Sequence, residues 1–266
     1  MWAALATELR VFATAVMFLT RIPVPRWVGH DPAWLARSTA YFPLVGVAVG
    51  LAGGLVVWLA SSVYPPAVAA ALSTAATVWL TGAFHEDALA DSCDGFGGGW
   101  DRDQVLAIMK DSRVGSYGAV GLALALITKV AAVASIAGAD GRFALRALVA
   151  AHVLGRWSSL PLIWGLPYVR EGEGAKGRPF AASVTGPRLA AGSLITVAAV
   201  ALALDVAVRP AAVAAALLAA ALVTALAARY FRRRIGGMTG DCLGACNQMV
   251  ELATYLLLAL SWQGRR

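Results

Sequence analysis

The acidic residues of this chain are not spread evenly along it. Seven of its 15 carboxylates, Glu86, Asp87, Asp91, Asp94, Asp101, Asp103 and Asp111, fall within 26 residues. The run His85-Glu86-Asp87-Ala88-Leu89-Ala90-Asp91-Ser92-Cys93-Asp94-Gly95 begins where an apolar stretch ends. Continued as a helix, it puts Asp87, Asp91 and Asp94 at i, i+4 and i+7, on one face. Like charges so placed repel, and charge at a lipid boundary is expensive unless it is paired. A divalent cation removes the repulsion. An all-oxygen set suits a hard ion, Mg²⁺ first and Mn²⁺ second. Glu86, Asp87, Asp91 and Asp94 are therefore the candidate metal ligands. A solvated acidic loop end is the plainer alternative. His85 could be a ligand, a general base or only a helix-end residue.

Two flanking stretches add groups that suit phosphate. Gly95, Gly97 and Gly98 offer backbone that a bulky or anionic substrate can approach closely. Lys110, Asp111 and Arg113 follow, and the two cations could clamp phosphate oxygens or merely anchor a loop at the membrane face. A second glycine-rich stretch at 236–247 brings Thr239, Gly240 and Asp241. In it Cys242 and Cys246 stand at i, i+4, and with no matching ligands nearby they read as packing residues rather than a zinc site. Inside apolar segments, Glu251 reads as functional and Arg156 as facing a polar interior, while Lys129 could snorkel to the interface. The residues together point to phosphoryl or phosphodiester transfer, with His85, Glu86, Asp87, Asp91, Asp94 and Asp241 as the catalytic set.

The elements that must position these residues are membrane helices. Of 266 residues 59% are hydrophobic and 14% charged, and the mean hydropathy is +0.70. Soluble domains carry about 25% charged residues. That balance argues against a water-soluble enzyme, a disordered chain and a reader of nucleic acid. The net charge of +7 then reflects basic loops facing the cytoplasm rather than a nucleic-acid partner. Apolar stretches suited to spanning occur at 41–63, 67–84, 117–139, 143–164, 189–208, 211–228 and, shorter, 249–262. The chain reads as one all-α polytopic membrane domain over 1–266, with about seven spans and an amphipathic N-terminal helix at 3–20. Glu8 and Arg10 leave that helix open between an eighth span and an interfacial position, and argue against a cleaved signal. The loops carrying Arg102, Lys110, Arg113, Arg170, Lys176, Arg178, Arg188 and the run Arg232, Arg233, Arg234 are the basic ones. The positive-inside rule puts them, with the active-site loops 85–116 and 236–248, in the cytoplasm. Arg265 and Arg266 weakly oppose a C-terminus on the other side. Three cysteines without framework spacing fit a reducing compartment.

Five stretches carry a family resemblance: Phe18-Leu19-Thr20-Arg21-Ile22-Pro23-Val24-Pro25, Tyr41-Phe42-Pro43-Leu44-Val45-Gly46, the His85 to Gly98 acidic block, Lys110-Asp111-Ser112-Arg113 with Gly115 and Gly118, and Gly237-Met238-Thr239-Gly240-Asp241 with Gly244-Ala245. In order and content the chain resembles the adenosylcobinamide-GDP ribazoletransferases, or cobalamin synthases. The acidic block and the Lys110 block are the specific part. The resemblance implies a multi-pass enzyme of the bacterial inner membrane with its site facing the cytoplasm. It would join adenosylcobinamide-GDP to α-ribazole or its 5′-phosphate, release GMP and require Mg²⁺. The expected nucleophile is the ribazole 5′-hydroxyl. Gly95, Gly97, Gly98, Lys110, Asp111, Arg113, Thr239 and Gly240 would contact substrate. The partners are those two substrates and the lipid bilayer, with no nucleic acid, and a homo-oligomer is left open. Asp91-x2-Asp94-Gly95 is also similar to part of the CDP-alcohol phosphotransferase motif, whose other half is absent. A cation-coupled transporter would place its acids mid-span in two matching halves, which this chain does not.

Overall fold

Proline and glycine punctuate the chain, and the helices begin and end where they stand. The computed structural model describes residues 2–170 and 184–263. Eleven helices occupy most of them: α1 Trp2–Leu19, α2 Pro32–Ser38, α3 Phe42–Ala60, α4 Pro66–Thr81, α5 Phe84–Gly98, α6 Arg102–Ile108, α7 Ser116–Ala139, α8 Gly141–Gly165, α9 Gly186–Leu204, α10 Pro210–Ile235 and α11 Gly240–Gln263. Four of the longer ones, α3, α4, α9 and α10, carry proline in the first turn, where its missing N–H costs nothing. Among the described residues the extended structure is a single parallel bridge between Tyr168 and Met238.

Among the described residues five helical segments are long and apolar enough to cross a bilayer, or six if one bent pair counts as a span. The bent pair is α4 and α5, which meet at 91°. Gly82 (φ 69°) and Ala83 (φ 58°) are both left-handed there, so the ladder of α4 stops and the chain turns before α5 starts. The sequence expectation of a span at 67–84 is thus met by a shorter helix, and the acidic block is not loop but helix. The expected span at 143–164 lies in α8, which has the length but a more polar make-up. His152, Arg156, Ser158 and Ser159 on it are all buried, because α8 is the central helix and its inward face is polar. The helix α1 is not one of the five. Its Glu8 accepts from Tyr41 Oη at 2.7 Å and pairs with Arg37 at 3.1 Å, while Arg10 donates to the Trp27 carbonyl at 2.7 Å. The two charges that interrupted its apolar pattern tie it to residues 27–41.

The tightest helix pair is α3 with α8. Gly46, Gly50 and Gly54 recur every fourth residue on α3, and a Cβ at Gly46 would stand 2.5 Å from the His152 carbonyl oxygen. Small residues at this spacing let two backbones approach where lipid supplies no hydrophobic drive.

The long connections meet at one end of the bundle. Arg21 N donates to the Leu80 carbonyl at 2.8 Å, Arg102 Nε to Ile235 at 3.1 Å, Arg232 to Gly165 at 2.8 Å and Arg234 to Gly99 at 2.8 Å. The short connections meet at the other end, where Arg146 lies 3.9 Å from Asp205 and Arg209 sits over the Phe143 ring. Lys176, Arg178, Arg265 and Arg266, used as topology markers, lie outside the described residues.

Candidate active site

The helix α5 packs between α7 and α11, so its residues divide among three surroundings. Successive residues on a helix point about 100° apart, and neighbours in sequence need not share a partner. Asp87 is exposed, Asp91 and Asp241 are half-buried, and Asp241 stands in the first turn of α11. Asp91 lies within electrostatic reach of Asp241, Asp87 and Asp94. Carboxylates expected from one helix face are thus joined by one from a second helix. Arg170 pairs with Asp241 at 3.1 Å and donates to the Met109 carbonyl at 3.0 Å.

His85, Asp87, Gly240, Asp241 and Arg170 line one cavity of about 390 Å³. His85 is buried, its ring edge-on to Phe84 at 5.3 Å between centroids. Gly244 has the Ala88 methyl group immediately over its Cα, which is how α11 comes close enough to α5 to share the cavity.

The remaining acidic positions face elsewhere. Asp94 is buried, and its two oxygens accept from the backbone N–H groups of Gly115 (2.7 Å) and Gly118 (2.8 Å) at the start of α7. A Cβ at either glycine would collide with that carboxylate. Asp94, Gly98, Asp111 and Arg113 border a second recess of about 480 Å³. Arg113 holds Asp111 with both arms, at 2.6 and 3.0 Å, and keeps its carboxyl down at about 2. Lys110 is exposed beside them. Gly95 and Gly97, expected to touch substrate, lie within α5 and press on Met109 and Tyr117. Thr239 is fully buried; its hydroxyl accepts from Cys242 N at 3.3 Å and so caps α11.

Glu86 turns inward. Its Oε1 accepts from Gln248 at 3.1 Å and lies 3.9 Å from Lys129. Lys129 reaches Gln248 at 2.6 Å and Glu251 at 3.1 Å; Glu251 also meets His152 at 2.9 Å and Arg156 at 3.3 Å. This buried network joins α5, α7, α8 and α11, and contains two cations and two carboxylates besides the histidine. The polar interior expected around Arg156 is therefore present, and Lys129, rather than snorkelling to the interface, is buried within it because Glu251 and Gln248 pair with it there. His152, Gln248 and Arg170 were not singled out from sequence as site residues. Gln248 and His152 give no local signal; Arg170 showed only as a basic loop residue. Cys242 and Cys246 are buried free thiols. Among the described residues no three His, Cys, Asp or Glu side chains stand close enough to hold a metal ion as they are.

Residues 11–259 match the family model described as cobalamin-5-phosphate synthase. The chain belongs to this family. A protein of Leptothrix cholodnii named adenosylcobinamide-GDP ribazoletransferase is 48% identical over 96% of each chain. Proteins of the same name from Shewanella amazonensis, over 96% of each chain, and Polaromonas naphthalenivorans, over 95% of this chain and 98% of its own, are each 42% identical. No solved structure matches. The family match spans every site segment described above, from α1 through α5 to α11. The membrane-helical architecture and the resemblance read from the acidic and Lys110 blocks agree with it.

Proposed function

We propose that the protein transfers the corrinoid phosphate of adenosylcobinamide-GDP to α-ribazole or its 5′-phosphate, releasing GMP, in the cavity between α5 and α11. A hydroxyl of the acceptor forms a P–O bond to the phosphate on the corrinoid side chain. The bond from that phosphate to GMP breaks, and the proton passes from the hydroxyl to a base. The observation that carries this reading is the meeting of Asp87 with Asp241, from separate helices, around one cavity beside His85.

The family's description favours a hydroxyl other than the 5′-hydroxyl expected from the resemblance. A product that carries a 5-phosphate comes from an acceptor whose 5′ oxygen is already esterified. The nucleophile is then a secondary ribose hydroxyl, and the same geometry serves the unphosphorylated acceptor. Asp87, exposed to the cavity, is placed to take its proton, and His85 is the alternative base on the same wall. Arg170, held against Asp241, can turn a donor to the phosphate without leaving the site.

Mg²⁺, or Mn²⁺, fits the donor set. Asp87, Asp91 and Asp241 offer only oxygen donors, and Asp91 feels Asp241 and Asp87 more strongly than it feels Arg170. They would hold the ion once their carboxylates draw together around it, since as they stand no three such side chains among the described residues are close enough to ligate one. Glu86 and Asp94, also expected as ligands, have their carboxylates turned to Gln248 and to α7 respectively. When bound, the ion supplies charge neutralisation on the diphosphate. Lys110 and Arg113, on the same end of the bundle, are the groups to meet the rest of that charge.

The basic connections gather at the site end, which supports a cytoplasmic-facing site in a bacterial inner membrane. The decisive experiment is incubation of the purified protein with adenosylcobinamide-GDP, α-ribazole 5′-phosphate and Mg²⁺. Release of GMP together with a completed corrinoid supports the reading, and absence of both sinks it.

A further inference from the structure

We propose that the aromatic wall of the α5–α11 cavity seats the flat heteroaromatic base of the ribazole acceptor, with the ribose turned toward Asp87. This rests on the transferase reading above. The cavity lining is of two unlike kinds. Asp87 and the paired Arg170 and Asp241 supply the charged part of its lining, and the mutually contacting Phe18, Phe42 and Phe84 supply an aromatic part. Phe18 stacks on Phe42 with ring planes 13° apart and meets Phe84 edge-on at 5.3 Å. Phe84 is nevertheless 43% exposed. Phe84 also lines the cavity that holds the candidate base.

Size selects between the substrates. A volume of about 390 Å³ belongs to the class that encloses small ligands. A ribonucleoside fits it. A corrin ring carrying a guanosine diphosphate has several times the bulk, so most of it must lie outside, toward Lys110 and Arg113. Chemistry selects between the flat groups. Guanine presents donors and acceptors around its edge, and a wall of Phe18, Phe42 and Phe84 would leave them unpaired. The benzimidazole type of base that gives ribazole its name is largely apolar at its edge and stacks without that loss. With the base on the phenylalanine wall, the ribose hydroxyls are the atoms left to face Asp87 and Asp241.

The test uses the full-length protein in lipid nanodiscs, as wild type, Phe84→Ala and Phe84→Trp. Phe84 is chosen because it is exposed, whereas Phe42 is buried. Two measurements are made: calorimetric titration with α-ribazole alone, and steady-state KM for each substrate. Phe84→Ala should weaken α-ribazole binding and raise its KM by about tenfold. Its KM for adenosylcobinamide-GDP should stay unchanged, and Phe84→Trp should bind α-ribazole at least as well as wild type. A rise confined to the adenosylcobinamide-GDP KM would assign the wall to guanine or the corrin and overturn the proposal. No change in either constant would leave the wall as packing against lipid, and would overturn it too. Absence of GMP release by wild type would instead overturn the transferase reading, and the titration, which needs no turnover, would still decide the base seat.

Discussion

Asp94 on α5 caps α7: its Oδ1 accepts from Gly118 N at 2.8 Å, and its other oxygen from Gly115 N at 2.7 Å. A carboxylate at a helix start satisfies orphan donors and favours the helix dipole. Asp94→Ala should therefore destabilise the fold by about 1–3 kcal/mol, since buried donors lose their acceptor. Asp94→Asn should fall between the two, with one acceptor oxygen remaining. Thermal unfolding in detergent measures this. A fully inactive Asp94→Ala protein with wild-type Tm would mean that the carboxylate acts on substrate or metal instead.

The opposite pattern is expected at Asp87, Asp91 and Asp241. Replacing any one with Asn should lower kcat more than about a thousandfold, as loss of charge stabilisation at phosphorus costs several kcal/mol. Helical content and membrane insertion should be unchanged. Removing divalent ions with chelator should abolish GMP release in the wild type. An Asp91→Asn variant with near-normal turnover would sink the carboxylate assignment.

Glu251 sits among Lys129, His152 and Arg156 at 2.9 to 3.3 Å, all buried. Glu251→Gln leaves two cations facing one carboxylate, Glu86, inside the bundle. Breaking a buried pair in this way costs about 3–5 kcal/mol. Lys129→Met in the same chain removes one of the stranded cations, so the double variant should lose less than the sum of the singles. Unfolding of both singles and the double gives the coupling energy. Strict additivity would show that the network does not act as a unit.

Arg113 and Asp111 form an exposed pair that contributes little to stability. Asp111 is held down at about 2 from 3.8, with its hydrogen bonds from Arg113 as the main cause. A depressed carboxylate adds stability that is present above 3.8 and lost as pH falls toward 2. Asp111 should therefore give no limb in a rate profile between about pH 5 and 8. Arg113→Lys loses the fork and should raise the KM for adenosylcobinamide-GDP, whereas Lys110→Arg should be milder. Wild-type constants in both swaps would leave these residues as loop anchors.

Topology is testable by labelling. Cysteines introduced at Gly98 and Gly236, in a background lacking Cys93, Cys242 and Cys246, should react with an impermeant reagent from one side. A cysteine at Asp140 should react from the other. Labelling of Gly98 and Gly236 from opposite faces would separate α5 from α11 and dissolve the site.

Composition and local period carried the sequence reading a long way. Apolar stretches fix helices because backbone groups in lipid must pair within their own segment. The i, i+4, i+7 acids fix a charged face on α5. Pro66 and Pro210 mark two of the breaks. None of this needs a partner elsewhere in the chain. The turn at Gly82 and Ala83 inside the expected 67–84 span came only from the structure. Which acids work together was decided only by the tertiary structure. Glu86 and Asp87 are adjacent, yet one faces Gln248 and Lys129 while the other faces the cavity with Asp241. Asp94 has the spacing of a ligand, but the packing of α7 against α5 makes its carboxylate the acceptor for Gly115 and Gly118. Thr239 and Gly95 have the residue types of a binding loop, and close helix packing buries both. Local spacing specifies a direction from the helix axis. What lies in that direction depends on where distant helices cross, and the close approaches at Gly46 and Gly244 set those crossings.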